Sequence, residues 1–278
     1  MNFGKSIRLF LIEGIPDGRW MCELSNWTGK AYKIPRTYVK SSCDRQELKN
    51  TGIYFLFGKD DESGIDQVYI GEAENIYSRL MQHLSEKDFW NECVVFISKD
   101  NNLNKAHVKY LENKIYTLAK EAGRYKLTNS NTPTLSSLSE SDGAEMDEFI
   151  ENAKLLLSAV GHKVLENATG SLLNGKSISK FYLESSGFKA NGSPTSDGFV
   201  IYKGSKISNT VASSLTKSVI SKRQNLIDTG IIDSNLTFTQ DFLFSSPSIA
   251  AAIVVGYSIN GRIAWKTTKG ISLKEFES

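Results

Sequence analysis

Cysteine and histidine are the scarce residues of this chain, three of each in 278. Cys22, Cys43 and Cys93 are odd in number, far apart and never arranged as Cys-x-x-Cys. That argues against a disulfide framework and a thiolate zinc site, and a reducing, cytoplasmic setting is expected. His83, His107 and His162 are too few for a multi-histidine metal centre, so any bound metal should be a hard, oxygen-ligated ion. Long apolar runs are missing as well. The longest, Ile249 to Tyr257, is about half of the roughly 20 residues that span a bilayer, so no membrane segment is expected. The run Ile7 to Ile12 is broken by Arg8 and has no cleavage-site pattern, which makes it a strand rather than a signal peptide.

What is present suits a globular protein with a buried core: 40% hydrophobic residues against 23% charged. The length allows two domains and a connector. A net charge of only +2 hides a patterned distribution. Residues 1–48 carry eight basic and five acidic side chains, 49–134 eleven and twelve, 135–175 two and seven, and 176–278 twelve and seven. A nucleic-acid partner would be held by basic surfaces at the two ends; solvated charged faces are the plainer alternative.

Short apolar runs among turn residues make 1–48 a β-rich extension. Gly52 to Phe57 and Val68 to Gly71, joined by a polar loop, predict a hairpin. A helix is expected from about Asn75 to Leu84, a strand from Phe89 to Ile97, and a longer helix from Leu103 to Ala122 stopped by Gly123. Residues 135–175 read as an acidic helical connector, its helix starting near Asp142, with Asp142 and Glu145 at capping-box spacing. Beyond it, 176–278 predict a basic α/β domain. Its strands lie near Phe181–Leu183 and Phe199–Tyr202, its helices over Asn209–Thr229 and Ile249–Val255. An Asn260-Gly261 hairpin turn leads into a strand at Ile263–Lys266.

Several polar residues share this middle segment. Tyr54 and Tyr69 sit on paired strands, so their hydroxyls can converge. Gly71 ends the second strand, where a missing Cβ permits close approach of a phosphate or a helix. Arg79 and His83 are four apart on one helix face, and a guanidinium donates bidentate bonds to phosphate. Glu112, mid-helix beside the apolar stripe, suits Mg²⁺, which takes few protein oxygens. Alone, each is more simply a packing or surface residue; their order and spacing are the signal.

Together they resemble the GIY-YIG nuclease family. Gly52-Ile53-Tyr54 and Tyr69-Ile70-Gly71 match its two naming motifs, with Arg79, His83 and Glu112 following in order, and its late Asn falls at Asn129 rather than Asn131. The resemblance covers about residues 50–132; fourteen residues separate the motif tyrosines, which enlarges the hairpin loop. It implies an α+β fold, with a three-stranded GIY-YIG-type sheet and flanking helices over 49–134. It also implies a divalent-metal-dependent endonuclease acting on nucleic acid, DNA first. Tyr54, Tyr69, Arg79, His83, Glu112 and Asn129 would be catalytic, Gly71 and Arg79 would meet substrate, and Glu112 would hold Mg²⁺ or Mn²⁺. The alternative is a nucleic-acid-binding or assembly protein that keeps the fold without catalysis. Residues 181–278, through Phe244 to Ala251 and Asn260-Gly261 before Trp265-Lys266, resemble a domain of unassigned role often attached to such nucleases. That domain could equally bind another protein or a second copy of this chain. Gly170 to Ser177 matches the P-loop pattern letter for letter, but polar sequence precedes it and a strand follows, so nucleotide binding is not expected there.

Overall fold

In the first part of the chain, β1 (Ile7–Leu11), β2 (Trp20–Leu24) and β3 (Gly29–Pro35) form an antiparallel meander. β4 (Gly52–Lys59) and β5 (Asp66–Ala73) form the expected hairpin, and β6 (Trp90–Ser98) pairs with the other edge of β4. With the two-residue β7 (Lys126–Leu127) running parallel to β5, they make one seven-stranded sheet ordered β1-β2-β3-β6-β4-β5-β7. The computed structural model describes residues 4–61, 64–166, 179–185, 187–213 and 215–278. The chain divides into two units, Met1–Asn167 and Ala168–Ser278, and the fold class is α+β.

The sheet corrects two expectations. It has seven strands rather than three, and residues 1–48 are no separate extension, because β3 pairs with β6 from Gly29↔Ser98 to Pro35↔Glu92. The cause lies in β6. Cys93 to Ser98 are all buried, so this strand is interior on both faces, and without β3 its outer backbone groups would have no partner.

Alternation along β4 sorts the layers. Ile53, Phe55 and Phe57 face a core shared with α2 (Lys105–Ala122) and α3 (Glu140–Ala159). Tyr54 and Leu56 face the other way, toward α1 (Ile76–Glu86) and a row of short 3₁₀ turns. α3 corrects the reading of 135–175 as a connector. Met146, Phe149, Ile150, Ala153, Leu156 and Leu157 are buried in the first unit's core, and the acidic residues mark the solvent side of a packed helix. Its cap is Ser139, whose hydroxyl accepts from Asp142 N at 3.1 Å, three residues before the expected start.

The second unit has β8 (Phe181–Ser185), β9 (Phe188–Thr195), β10 (Gly198–Ile201), α4 (Lys217–Asp228) and β11 (Phe242–Phe244). Then come α5 (Pro247–Val255), α6 (Gly261–Ala264) and α7 (Leu273–Phe276). The strands make one antiparallel sheet ordered β11-β10-β9-β8. α5 is buried from Ala250 to Val255 and fills the core against Phe181, Phe199 and Trp265. The expected helix over Asn209–Thr229 is only its second half. Asn260-Gly261 opens α6 instead of a hairpin: Asn260 Oδ1 caps Arg262 N at 3.1 Å, and a Cβ on Gly261 would lie 2.2 Å from Pro247 O. The P-loop-like stretch Gly170 to Ser177 lies outside the described residues.

Candidate active site

The end of β5 is where the expected site residues meet. β5 pairs with β7 only through Gln67 and Val68, so farther along, its outer edge lacks a strand partner among the described residues. Asn129 supplies one there. Its Nδ2 donates to Ile70 O at 2.7 Å and its Oδ1 accepts from Ile70 N at 3.1 Å, so one side-chain amide completes both backbone groups. Asn131 is exposed, and Asn129 is the residue that reaches the strand.

Tyr54 lies opposite Gly71 in the β4–β5 ladder. A Cβ on Gly71 would stand 2.4 Å from Tyr54 Oη and 2.9 Å from Tyr69 Cε1. The glycine is therefore needed for the tyrosine rings, which lie over it with centroids 6.2 Å apart. This fills with Tyr54 the space that the sequence reading reserved for a phosphate or a helix.

α1 starts at Asn75, whose Oδ1 accepts from Ser78 N at 2.9 Å, and one turn of it carries Arg79 and His83 to Tyr54. Arg79 Nε donates to Tyr54 Oη at 3.4 Å, and His83 Nε2 is 2.7 Å from the same oxygen. Because a guanidinium only donates, Tyr54 accepts from Arg79 and turns its own hydrogen to His83 Nε2. The imidazole proton then sits on Nδ1, which is buried without a hydrogen bond and 3.6 Å from Glu86 Oε2. Burial first, then Arg79 and Lys87, push His83 down to about 4, so it is neutral near pH 7. Burial first, then Tyr69, raises the Tyr54 hydroxyl above its ordinary value despite Arg79. Tyr54 is thus a protonated hydroxyl with its direction fixed.

Glu112, half-buried on α2, approaches from the opposite layer; its charge acts on both Tyr54 and Arg79. Burial first, then the nearby Glu72 carboxylate, raises it to about 7, opposed by Lys105, the Glu72 backbone N–H and Arg79. Lys105 is itself held by Glu72 at 2.9 Å. Among the described residues no group of three His, Cys, Asp or Glu could hold a metal ion. One half-buried carboxylate beside a second suits a hard divalent ion that keeps most of its waters, and fits nothing that needs a full protein cage.

Glu72, Lys87 and Lys105 were missed from sequence. Lys87 Nζ lies 4.4 Å from the Tyr69 ring centroid, four residues after His83, and Lys105 is seven before Glu112 on the same helix. Helical spacing from a residue already singled out is the signal that finds the two lysines, and Glu72 directly follows Gly71 on β5.

Residues 181–277 match the family model for a domain of unknown function, DUF4357. This supports the resemblance drawn for the C-terminal residues; the matched segment does not reach residues 50–132. No curated protein matches the chain. No helix among the described residues is long and apolar enough to cross a membrane.

Proposed function

We propose that the first unit is a GIY-YIG-type nuclease centre that hydrolyses phosphodiester bonds of nucleic acid, DNA first, with a divalent metal. The observation that carries this is the single hydroxyl of Tyr54, held between Arg79 Nε and neutral His83 Nε2 with the half-buried carboxyl of Glu112 in electrostatic reach. That set provides an orienting hydroxyl, a proton acceptor behind it, a fixed cation and one oxygen ligand.

Glu112 would hold the Mg²⁺ or Mn²⁺, which when bound supplies Lewis acidity toward a phosphate oxygen. Tyr54 orients the attacking water through its oxygen. As that water loses its proton to Tyr54, Tyr54 passes its own along the existing bond to His83 Nε2, so the phenol stays neutral. Arg79, adjacent to this oxygen, offsets charge developing on the phosphate. Tyr69 and Lys87 wall the site, and Asn129 is a positioning residue that holds the strand behind Gly71.

Incubating the purified chain with supercoiled plasmid in Mg²⁺ should give nicked or linear product. Chelator should stop the reaction. Glu112→Gln should abolish cleavage while leaving DNA affinity within a few-fold, since phosphate affinity comes mainly from cations. No cleavage of duplex, single-stranded or branched DNA or RNA in either metal would sink the reading, as would full activity of Glu112→Gln.

A further inference from the structure

We propose that the open face of the second unit's sheet binds single-stranded nucleic acid, lysines meeting the phosphates and tyrosines the bases. Cross-strand pairing fixes which side chains share that face. Tyr182 pairs with Asn191 and bridges to Lys266; Lys189 pairs with Glu184 and bridges to Lys206. Paired residues of neighbouring strands point the same way. Their sequence neighbours Phe181, Leu183 and Ala190 point to the opposite face and are buried in the core. Tyr202 belongs to the same face, since its hydroxyl donates to Ser193 Oγ at 3.0 Å and Lys180 Nζ lies 5.5 Å from its ring centroid. Ser193 and its partner Val200 are fully buried, so the face is open over the rows of Tyr182 and Lys189 and closed at Ser193.

The face therefore carries four exposed lysines, Lys180, Lys189, Lys206 and Lys266, interleaved with the half-buried rings of Tyr182 and Tyr202. The acids on it are Glu184, 3.6 Å from Lys189, and, beside Tyr202, Asp241, whose Oδ1 accepts from Lys203 N at 2.8 Å. Lys180, Lys206 and Lys266 form no ion pair among the described residues. Beside Tyr182 and Lys189 a groove of about 790 Å³ runs past Ile263 and Thr268.

Unpaired cations in a row complement a chain of phosphates, and tyrosine rings between them give bases a flat surface. An acidic polypeptide would satisfy the lysines but leave the rings without a counterpart. Rings lying within a shallow sheet cannot reach base edges inside a duplex groove, whereas unpaired bases can be laid onto them. This inference is independent of the nuclease reading and survives its failure.

The test uses the full chain in chelator, with labelled oligothymidylate followed by fluorescence anisotropy across a salt series. The triple variant Lys189→Gln, Lys206→Gln, Lys266→Gln should bind about ten-fold more weakly or worse. Its log–log salt slope should fall by about two, at roughly 0.7 per lost contact on single strands. Tyr182→Ala should weaken binding roughly five-fold or more. Circular dichroism verifies that the variants, all on an open face, remain folded. Wild-type affinity in the triple variant or in Tyr182→Ala overturns the proposal. So does equal competition by poly-glutamate, which assigns the face to acidic polypeptides, and so does equally tight duplex binding through the same residues.

Discussion

At Glu112 the cost of burial and the proximity of Glu72 act on one carboxyl, and both favour the protonated form. Its folded pKa, about 7, lies above the ordinary value of 4.5. Between those values the folded chain keeps a proton that the unfolded chain has released, so stability falls as pH rises through the window. His83 has the reverse sign: its folded pKa of about 4 lies below the ordinary 6.5, so stability falls as pH drops from 6.5 toward 4. The two overlap in mildly acidic solution, and the Glu112 effect is cleanest just above the ordinary histidine pKa. In chelator, the melting temperature of the wild type should therefore decline from about pH 6.5 to 7.5 relative to Glu112→Gln, which has no proton to lose. Mg²⁺ should reverse that decline in the wild type alone, because the cation binds the ionised carboxylate. Parallel melting curves with and without Mg²⁺ would remove Glu112 as the metal ligand, whatever the cleavage assay gives.

At the scale of elements, the site depends on how the edge of β5 is finished. Asn129→Ala removes both partners of Ile70 and leaves a strand N–H and C=O to find water or go unpaired. We expect a loss of about 1–3 kcal/mol in urea unfolding, with cleavage reduced more than DNA affinity. A variant with unchanged stability would mean that the edge is solvated without cost. Asn129 was singled out from its order after Glu112, but its bond to backbone was not legible, because a side-chain amide replacing a strand leaves no periodic trace. The same contrast runs through the fold. The hairpin was legible as two apolar runs around a polar loop, and α1 and α2 because each has one buried face and an amphipathic period. The β3–β6 pairing was not, since which strand covers an edge is a tertiary choice among distant segments. β9 was hidden for another reason. Its Asn191-Gly192-Ser193-Pro194-Thr195 stretch reads as a turn, yet Pro194 is tolerated because the β8 ladder ends at Gly192. At Asn260-Gly261 the turn residues were recognised and misassigned; the cap on Arg262 and the crowding against Pro247 decide for helix.

At the scale of the whole molecule, charge and core are partitioned between two units. The first buries its helices and seven-stranded sheet in its own clusters, and the second buries α5 against its four-stranded sheet in another. The first holds the proposed reaction chemistry. From residue 49 to 134 it is near neutral, with eleven basic against twelve acidic side chains, and α3 adds acids on its solvent side. Substrate held only there would be held weakly. Residues 176–278 carry twelve basic against seven acidic side chains, so the larger share of phosphate attraction belongs to the second unit. A chain ending at Glu166 retains all of the first unit's core, including Val164 and Leu165. It should still cut in Mg²⁺, at a turnover close to that of the full chain once substrate saturates. It should bind DNA more weakly, with a shallower salt dependence: each lost phosphate contact removes roughly 0.9 from the log–log slope on duplex and 0.7 on single strands. Two or three lost contacts are measurable by titration between low and physiological salt. If the second unit instead joins copies of this chain, truncation would turn an oligomer into a monomer, lowering the mass in solution well beyond the loss of the 112 residues removed, and leave the salt slope where it was. Light scattering and the salt titration on the same two proteins therefore separate a substrate-holding unit from an assembling one.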